Sequence, residues 1–293
     1  MTRLTILLSL VVLVLSSCNN EQDASDAYGN FEAVDVMVAS ESQGKLLSFD
    51  LEEGQRISVD EIVGVIDTMQ LYLKKQQFLA SIKTVQTKSR TLNAQKDSYG
   101  VQLENLSREY KRIQNLLKDG AATSKQKDDV EGNMKLIKSQ IVALETQKST
   151  IAAESNSLKI QINQVNDQIS KASVTNPIDG VVLQKYKEAG EIVGSGQNLY
   201  KIADLSELIL RAYVSGGQLS RVEIGKEMIV RIDSESGIEE LSGTVTWISS
   251  EAEFTPKIIQ TKEERVNLVY AIKVIVKNDG RLKIGMPAEL KFK

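Results

Sequence analysis

The sequence predicts a mainly β protein interrupted by one long α-helical coiled-coil hairpin and followed by a small β-barrel. Three observations carry that reading. A β-rich segment from Gly44 (GKLLSFDLEEGQRISVDEIVGVIDT) recurs from Gly180 (GVVLQKYKEAGEIVGSGQNLYKIAD) without a gap. About 100 residues in heptads separate the two copies. The last third alternates apolar and polar residues between turn signals. Two matching halves so far apart read as one small split domain with a long insertion.

Composition narrows the function class. The 293 residues carry a net charge of −3, which argues against a nucleic-acid partner. There is no histidine, so imidazole metal sites and imidazole bases are excluded. A single cysteine excludes an intrachain disulfide and a cysteine-cluster metal site. No cofactor, metal or catalytic residue is expected, and the chain reads as a non-enzyme.

Residues 1–18 read as an export signal. Arg3 supplies a weak positive start, and Leu4 to Leu15 is an apolar run too short to span a bilayer comfortably. The run ends in LSSC, which resembles the bacterial lipobox. Cys18 sits where such a signal is cut and acylated, so it is the expected lipidation site and membrane anchor. Residues 19–35 read as a tether and first strand. The stretch NNEQDASDAYGN is small and polar, as suits a flexible tether.

The first half of the split domain is placed at 36–67 and the hairpin at 68–173. Heptad positions run through Leu71, Lys75, Phe78, Ile82, Val85, Ser89, Leu92, Lys96, Tyr99, Leu103, Leu106, Tyr110, Ile113 and Leu117. A second run goes from Val130 through Met134, Ile137, Ile141, Leu144, Lys148, Ile151, Ser155, Leu158, Ile162, Val165 and Ile169 to Ala172. Heptads kept this long impose a coiled coil. Asp119-Gly120 ends the first helix. Thr123-Ser-Lys-Gln126 reads as a capping box opening the second, and Asn176-Pro177 as its stop. Each helix is near 50 residues, about 75 Å long. Equal lengths return the chain to where it left, which favours a hairpin over a dimeric rod.

The second half of the split domain is placed at 174–205 and the barrel at 206–293. Met228, Val230 and Ile232 alternate, as do Tyr270, Ile272, Val274 and Val276, and Val245 and Trp247 start a further run. Ser215-Gly-Gly, Ser236-Gly237 and Asn278-Asp-Gly280 mark turns. Between strands lies the long polar loop EAEFTPKIIQTKEERVN, a candidate functional loop.

These pieces resemble the periplasmic adaptor proteins, or membrane fusion proteins, of the haemolysin-secretion-protein-D type. TNPIDGVV and AGEIVGSGQNLYKIAD are similar to the second half of that family's lipoyl-like (barrel-sandwich hybrid) domain. FTPKIIQTKEERVNLVYAIKVIVKN with LKIGMPAELKF looks like the barrel of adaptors paired with ABC-type multidrug exporters. The resemblance implies a periplasmic subunit of a diderm bacterium, lipid-anchored to a membrane, with the inner membrane favoured. It implies a homo-oligomer, a hexamer, linking an inner-membrane transporter with an ABC permease to an outer-membrane channel. It also implies channel docking by Arg112, Leu116 and Thr123 at the hairpin tip, with Thr123 where the family has serine. Pump contact falls to Thr255, Pro256, Lys257, Gln260, Thr261 and Arg265, and a channel constriction to Glu188. A fourth, membrane-proximal domain is expected to be absent or rudimentary. True lipoyl carriers expose a modified lysine between the halves, and no such motif occurs between Val65 and Thr68. Two other readings stay open: an adaptor of a proton-driven pump, and a structural coiled-coil envelope lipoprotein.

Overall fold

The structure, a computed structural model, describes residues 25–235, 237–254 and 268–292. Cys18 and the expected pump-contact residues Thr255, Pro256, Lys257, Gln260, Thr261 and Arg265 lie outside them.

The split domain is built from β2 (Asp35–Ala39), β3 (Gly44–Phe49), β4 (Arg56–Ile57), β5 (Ile62–Ile66), β6 (Ser173–Thr175), β7 (Gly180–Lys185), β8 (Ile192–Val193) and β9 (Asn198–Ala203), with β1 (Ala27–Glu32) preceding it. The sequence repeat is a structural repeat: β3, β4 and β5 begin 136 positions before β7, β8 and β9 (Gly44 against Gly180). Two four-stranded sheets form, ordered β2-β9-β7-β4 and β6-β5-β3-β8. Each half therefore lends its short strand to the other half's sheet, as β4 pairs β7 and β8 pairs β3. The exchange is mirrored in single hydrogen bonds. Gly54 N–H donates to Val182 O at 2.8 Å, and Gly190 N–H to Leu46 O at 2.7 Å. Alternating side chains from both sheets fill one core, including Leu46, Phe49, Ile66, Val182, Leu199 and Ile202.

The repeat reaches further than the sequence match. β2 and β6 occupy equivalent places, with Val38 and Val174 both buried. The next equivalent pair, Ser40 and Asn176, is buried and polar. Ser40 N–H bonds Gln197 O and Gly196 N–H bonds Ser40 O, while Asn176 N–H bonds Glu61 O and Asp60 N–H bonds Asn176 O. The equivalent turn residues Asp60 and Gly196 share the left-handed conformation, with φ of 62° and 80°. Aspartate tolerates that region better than most side chains.

The hairpin consists of α1 (Met69–Lys118) and α2 (Ser124–Ser170). It leaves from β5 and returns into β6, which are paired neighbours, and Ile66 N–H meets Ala172 O at 2.8 Å. That pairing is what demands helices of matched length. Every heptad position of both runs is buried or half-buried except Lys148, which is exposed. Yet only Val85, Ile113 and Val165 in the two helices are buried. One ion pair, Lys96 Nζ to Glu145 Oε1 at 2.7 Å, joins the helices midway.

Asn176-Pro177 is not the helix stop. α2 ends at Ser170, and β6 lies between it and Asn176. The pairing of β6 with β5 and the burial of Ala172 and Val174 end the helix earlier than proline would.

The barrel adds β10 (Glu207–Ser215), a single 3-10 turn (Leu219–Arg221), β11 (Glu227–Ser234), β12 (Gly237–Ile248), β13 (Glu253–Phe254), β14 (Leu268–Lys277) and β15 (Pro287–Phe292). Six strands close in the order β10-β1-β15-β11-β12-β14 and back to β10, with β13 attached to β14. The barrel thus reaches beyond the 206–293 expected for it, because β1 closes the gap between β10 and β15. Val245 and Trp247 end β12 rather than start a strand, and a register shift between them turns Trp247 outward to 40% exposure. The barrel core includes Phe31, Leu208, Leu210, Met228, Val230, Ile272, Val274 and Leu290.

Candidate docking site at the hairpin tip

The tip is shaped by two helix ends. Beyond Lys118, Gly120 adopts φ +71°, its N–H bonding Leu117 O at 3.2 Å while Ala121 N–H bonds Leu116 O at 2.8 Å. This left-handed stop satisfies carbonyls that a helix end leaves open. α2 then begins at a complete capping box. Gln126 N–H donates to Thr123 Oγ1 at 3.3 Å, and Thr123 N–H donates to Gln126 Oε1 at 2.9 Å.

Arg112 and Leu116 stand one turn apart on the same face of α1. Leu116 is 40% exposed, although it lies in a helix whose neighbouring Ile113 and Leu117 turn inward. Arg112 is exposed and paired with Glu109 on its own helix, whose hydrogen bond raises the guanidinium pKa further. Thr123 is exposed, but its hydroxyl is engaged as the helix cap. Of the three expected docking residues, Leu116 thus presents an open apolar side chain, Arg112 a cation paired with Glu109, and Thr123 a hydroxyl already in structural use.

Glu188 lies on an exposed turn and accepts Lys185 Nζ at 2.6 Å. Glu191 closes the same turn, taking Lys187 Nζ at 2.8 Å and Glu188 N–H at 3.0 Å. Those bonds hold its carboxyl below the ordinary range. Two ion pairs therefore neutralise the turn locally.

Two polar constellations were not flagged by the sequence. In the split domain, Asn176 is wholly buried and saturated. Its Nδ2 donates to Ser58 O at 2.7 Å and Ile178 O at 2.6 Å, and its Oδ1 accepts Tyr200 O–H at 2.9 Å. Burial pushes the Tyr200 hydroxyl pKa up. In the barrel, Asp26 pins the entering chain. Its carboxylate takes Phe292 N–H at 2.8 Å and Arg221 Nη1 at 3.3 Å, and Arg221 stacks over the Phe292 ring. A lone asparagine or aspartate gives no sequence signal of this kind, because its partners lie far away along the chain. On β10, the neighbour of β1, Arg211 holds Glu253 of β13 at 3.0 Å, just before the segment that contains the expected pump-contact residues.

Asp67 Oδ1 accepts Met69 N–H at 2.8 Å, so this residue launches α1. Among the described residues, no His/Cys/Asp/Glu group could hold a metal ion, and no helix is long and apolar enough to cross a membrane.

No protein-family model matches the chain. It is 25% identical, over an alignment of 326 residues, to the UPF0194 membrane protein YE2891 of Yersinia enterocolitica, covering 100% of this chain and 99% of that one. It is 25% identical over 287 residues to a UPF0194 membrane protein of Acidithiobacillus ferridurans, covering 89% and 84%. Among solved structures, MacA from Actinobacillus actinomycetemcomitans superposes with a TM-score of 0.59 at 18% identity, over 90% of this chain and 76% of that one. The membrane fusion protein Spr0693 from Streptococcus pneumoniae gives 0.57 at 14% identity, over 91% and 97%. The chain has the membrane-fusion-protein fold.

Proposed function

We propose that this protein is an adaptor subunit of an export complex, lipid-anchored through Cys18 and standing in the periplasm. Copies assemble in a ring, a hexamer by family resemblance, whose hairpins line up as a tube. One end meets an inner-membrane transporter, with an ABC permease favoured, and the other meets an outer-membrane channel. The protein catalyses nothing. Its work is to span a gap, seal a conduit and pass motion from pump to channel.

The observation that carries this reading is the hairpin's mounting. A rod of about 75 Å rises from two paired strands of a rigid split domain, β5 and β6. A spacer needs only the rod; it has no use for a closed barrel pinned to the chain's entry point at Asp26. The exposed Leu116 fits helix-to-helix docking with a channel, with Arg112 beside it. Thr123 contributes less, since its hydroxyl caps α2. The paired state of Glu188 weakens a role as a charged constriction. Thr255, Pro256, Lys257, Gln260, Thr261 and Arg265 remain the proposed pump contacts.

Deletion of the gene, with the transporter still present and folded, should abolish export; unchanged export refutes the adaptor role. Leu116→Asp should fold normally and block docking. Full export by that variant removes Leu116 from the docking set.

A further inference from the structure

The outer wall of the barrel carries a groove of about 490 Å3. It runs obliquely across neighbouring strands, from Val269 and Tyr213 at one end, past Tyr28 and Glu289, to Asp233 and Ile238 at the other. Its floor includes bare backbone at Gly29. An added Cβ there would lie 2.1 Å from Arg211 O, so β1 approaches β10 this closely only as glycine. Tyr28 and Tyr213 stand directly opposite each other across the β1–β10 pair. Tyr28 is 59% exposed and Ile238 is exposed as well, and neither belongs to the barrel core.

The charge of the groove is unbalanced. Among its described lining residues the one cation, Arg231, is almost wholly buried and is bound by Glu240 Oε1, through Nε at 2.9 Å and Nη2 at 2.8 Å. Glu289 stands opposite Arg231 on the other neighbouring strand, so this cation lies between two carboxylates. Asp233 adds a third. It is exposed, and no ion pair or side-chain hydrogen bond holds it among the described residues. The surplus of acid lies beside aromatic rings, whose faces also attract cations. Tyr213 already has one, with the Arg211 guanidinium 5.9 Å from its ring centre. Tyr28 has none among the described residues.

We propose that this groove binds a small hydrophobic cation, its charge met by Asp233 and Glu289 and its apolar body laid against Tyr28, Tyr213 and Ile238. The volume suits a molecule of drug size. A peptide adding itself as a strand finds no free edge, because β10, β1, β15 and β11 are each paired on both sides. That such a cation is export cargo, held beside the transporter, rests on the adaptor reading above; the binding itself does not.

The test is equilibrium dialysis of the full mature protein in non-ionic detergent against tetraphenylphosphonium, with protein-free micelles as the blank. Wild-type protein should bind it saturably. Tetraphenylborate, of the same shape and opposite charge, should bind at least about tenfold more weakly. Tyr28→Ala should weaken binding of the cation by about tenfold, and Asp233→Asn by about threefold or more. Both side chains are exposed, so the urea midpoint of each variant should match the wild type. Absence of saturable binding, equal binding of the borate, or equal binding by both variants overturns the proposal. So does photo-crosslinking from position 238 to a second copy of the chain in ligand-free protein, which would make the groove an interface between copies. The assay contains no transporter, so a failed adaptor reading shows in the export measurement and a failed ligand proposal shows here.

Discussion

The split domain and the hairpin solve the same problem, joining two distant stretches of chain, with opposite economies. In the split domain each half completes the other's sheet, one shared core is sealed, and the buried Asn176 has a partner for every polar group. In the hairpin two helices share a seam in which only Val85, Ile113 and Val165 are buried. The first is a closed object. The second leaves apolar side chains such as Val101, Leu136, Val142 and Ile160 in solvent and becomes better packed only in company. Rigidity at the base and unfinished surface along the rod are what a scaffold presenting its rod to partners requires.

The largest expected effect tests the closed core. Leu46 is fully buried between the sheets, so Leu46→Ala should cost about 4 kcal/mol. Because the rod is mounted on this domain, protection of β3, β7 and the hairpin base against amide exchange should fall together. Asn176→Ala should cost about 3 kcal/mol, leaving the Tyr200 hydroxyl and two carbonyls without their partner. A loss under about 1 kcal/mol in urea titration would mean that water replaces the side chain and the latch is dispensable. Ile113→Ala should cost only about 1–2 kcal/mol, since the seam stays open to water. It should loosen the distal helices while exchange in the split domain is unchanged, and equal loss in both regions would break the contrast. Thr123→Ala should lower helix stability by about 1 kcal/mol through the lost cap. Loss of export without loss of helix stability would instead assign the hydroxyl to docking.

The smallest effect is with pH. The hydrogen bond and charge of Lys96 hold the Glu145 carboxyl below the ordinary carboxylate range, so the pair's contribution is present above the unfolded-state value and is lost as pH falls through the folded-state pKa. The hydrogen bond to Glu145 in turn holds the Lys96 ammonium above its ordinary range, so the same pair weakens again as pH rises past the raised value. Hairpin helicity in Glu145→Gln should be flatter across the acid limb than in wild type. Identical acid limbs would assign no stabilising role to the bridge.

Much of this was legible because periodicity is local information. Heptads and the gapless repeat fixed the hairpin, the seam and the equivalence of β3–β5 with β7–β9. What stayed hidden depends on residues brought together from afar. The equivalence of Ser40 and Asn176 is carried by backbone hydrogen bonds, not by side-chain identity. β1 reads as a leader strand until its partners β10 and β15, more than 170 residues onward, are known. Pro177 looked like a helix stop, but the pairing of β6 with β5 acted first. At the tip, the family resemblance points to Arg112, Leu116 and Thr123 as the expected docking residues. The structure adds that Leu116 is the exposed apolar group, while Thr123 is occupied as a cap.

The most direct test of the adaptor account is site-specific photo-crosslinking in living cells from position 116 at the tip and from position 253 on the barrel, followed by mass spectrometry of the captured proteins. The account expects an outer-membrane channel from position 116 and an inner-membrane transporter, with its ATPase, from position 253. Capture of only further copies of this chain or envelope components from both positions, in cells that contain the transporter, would contradict it.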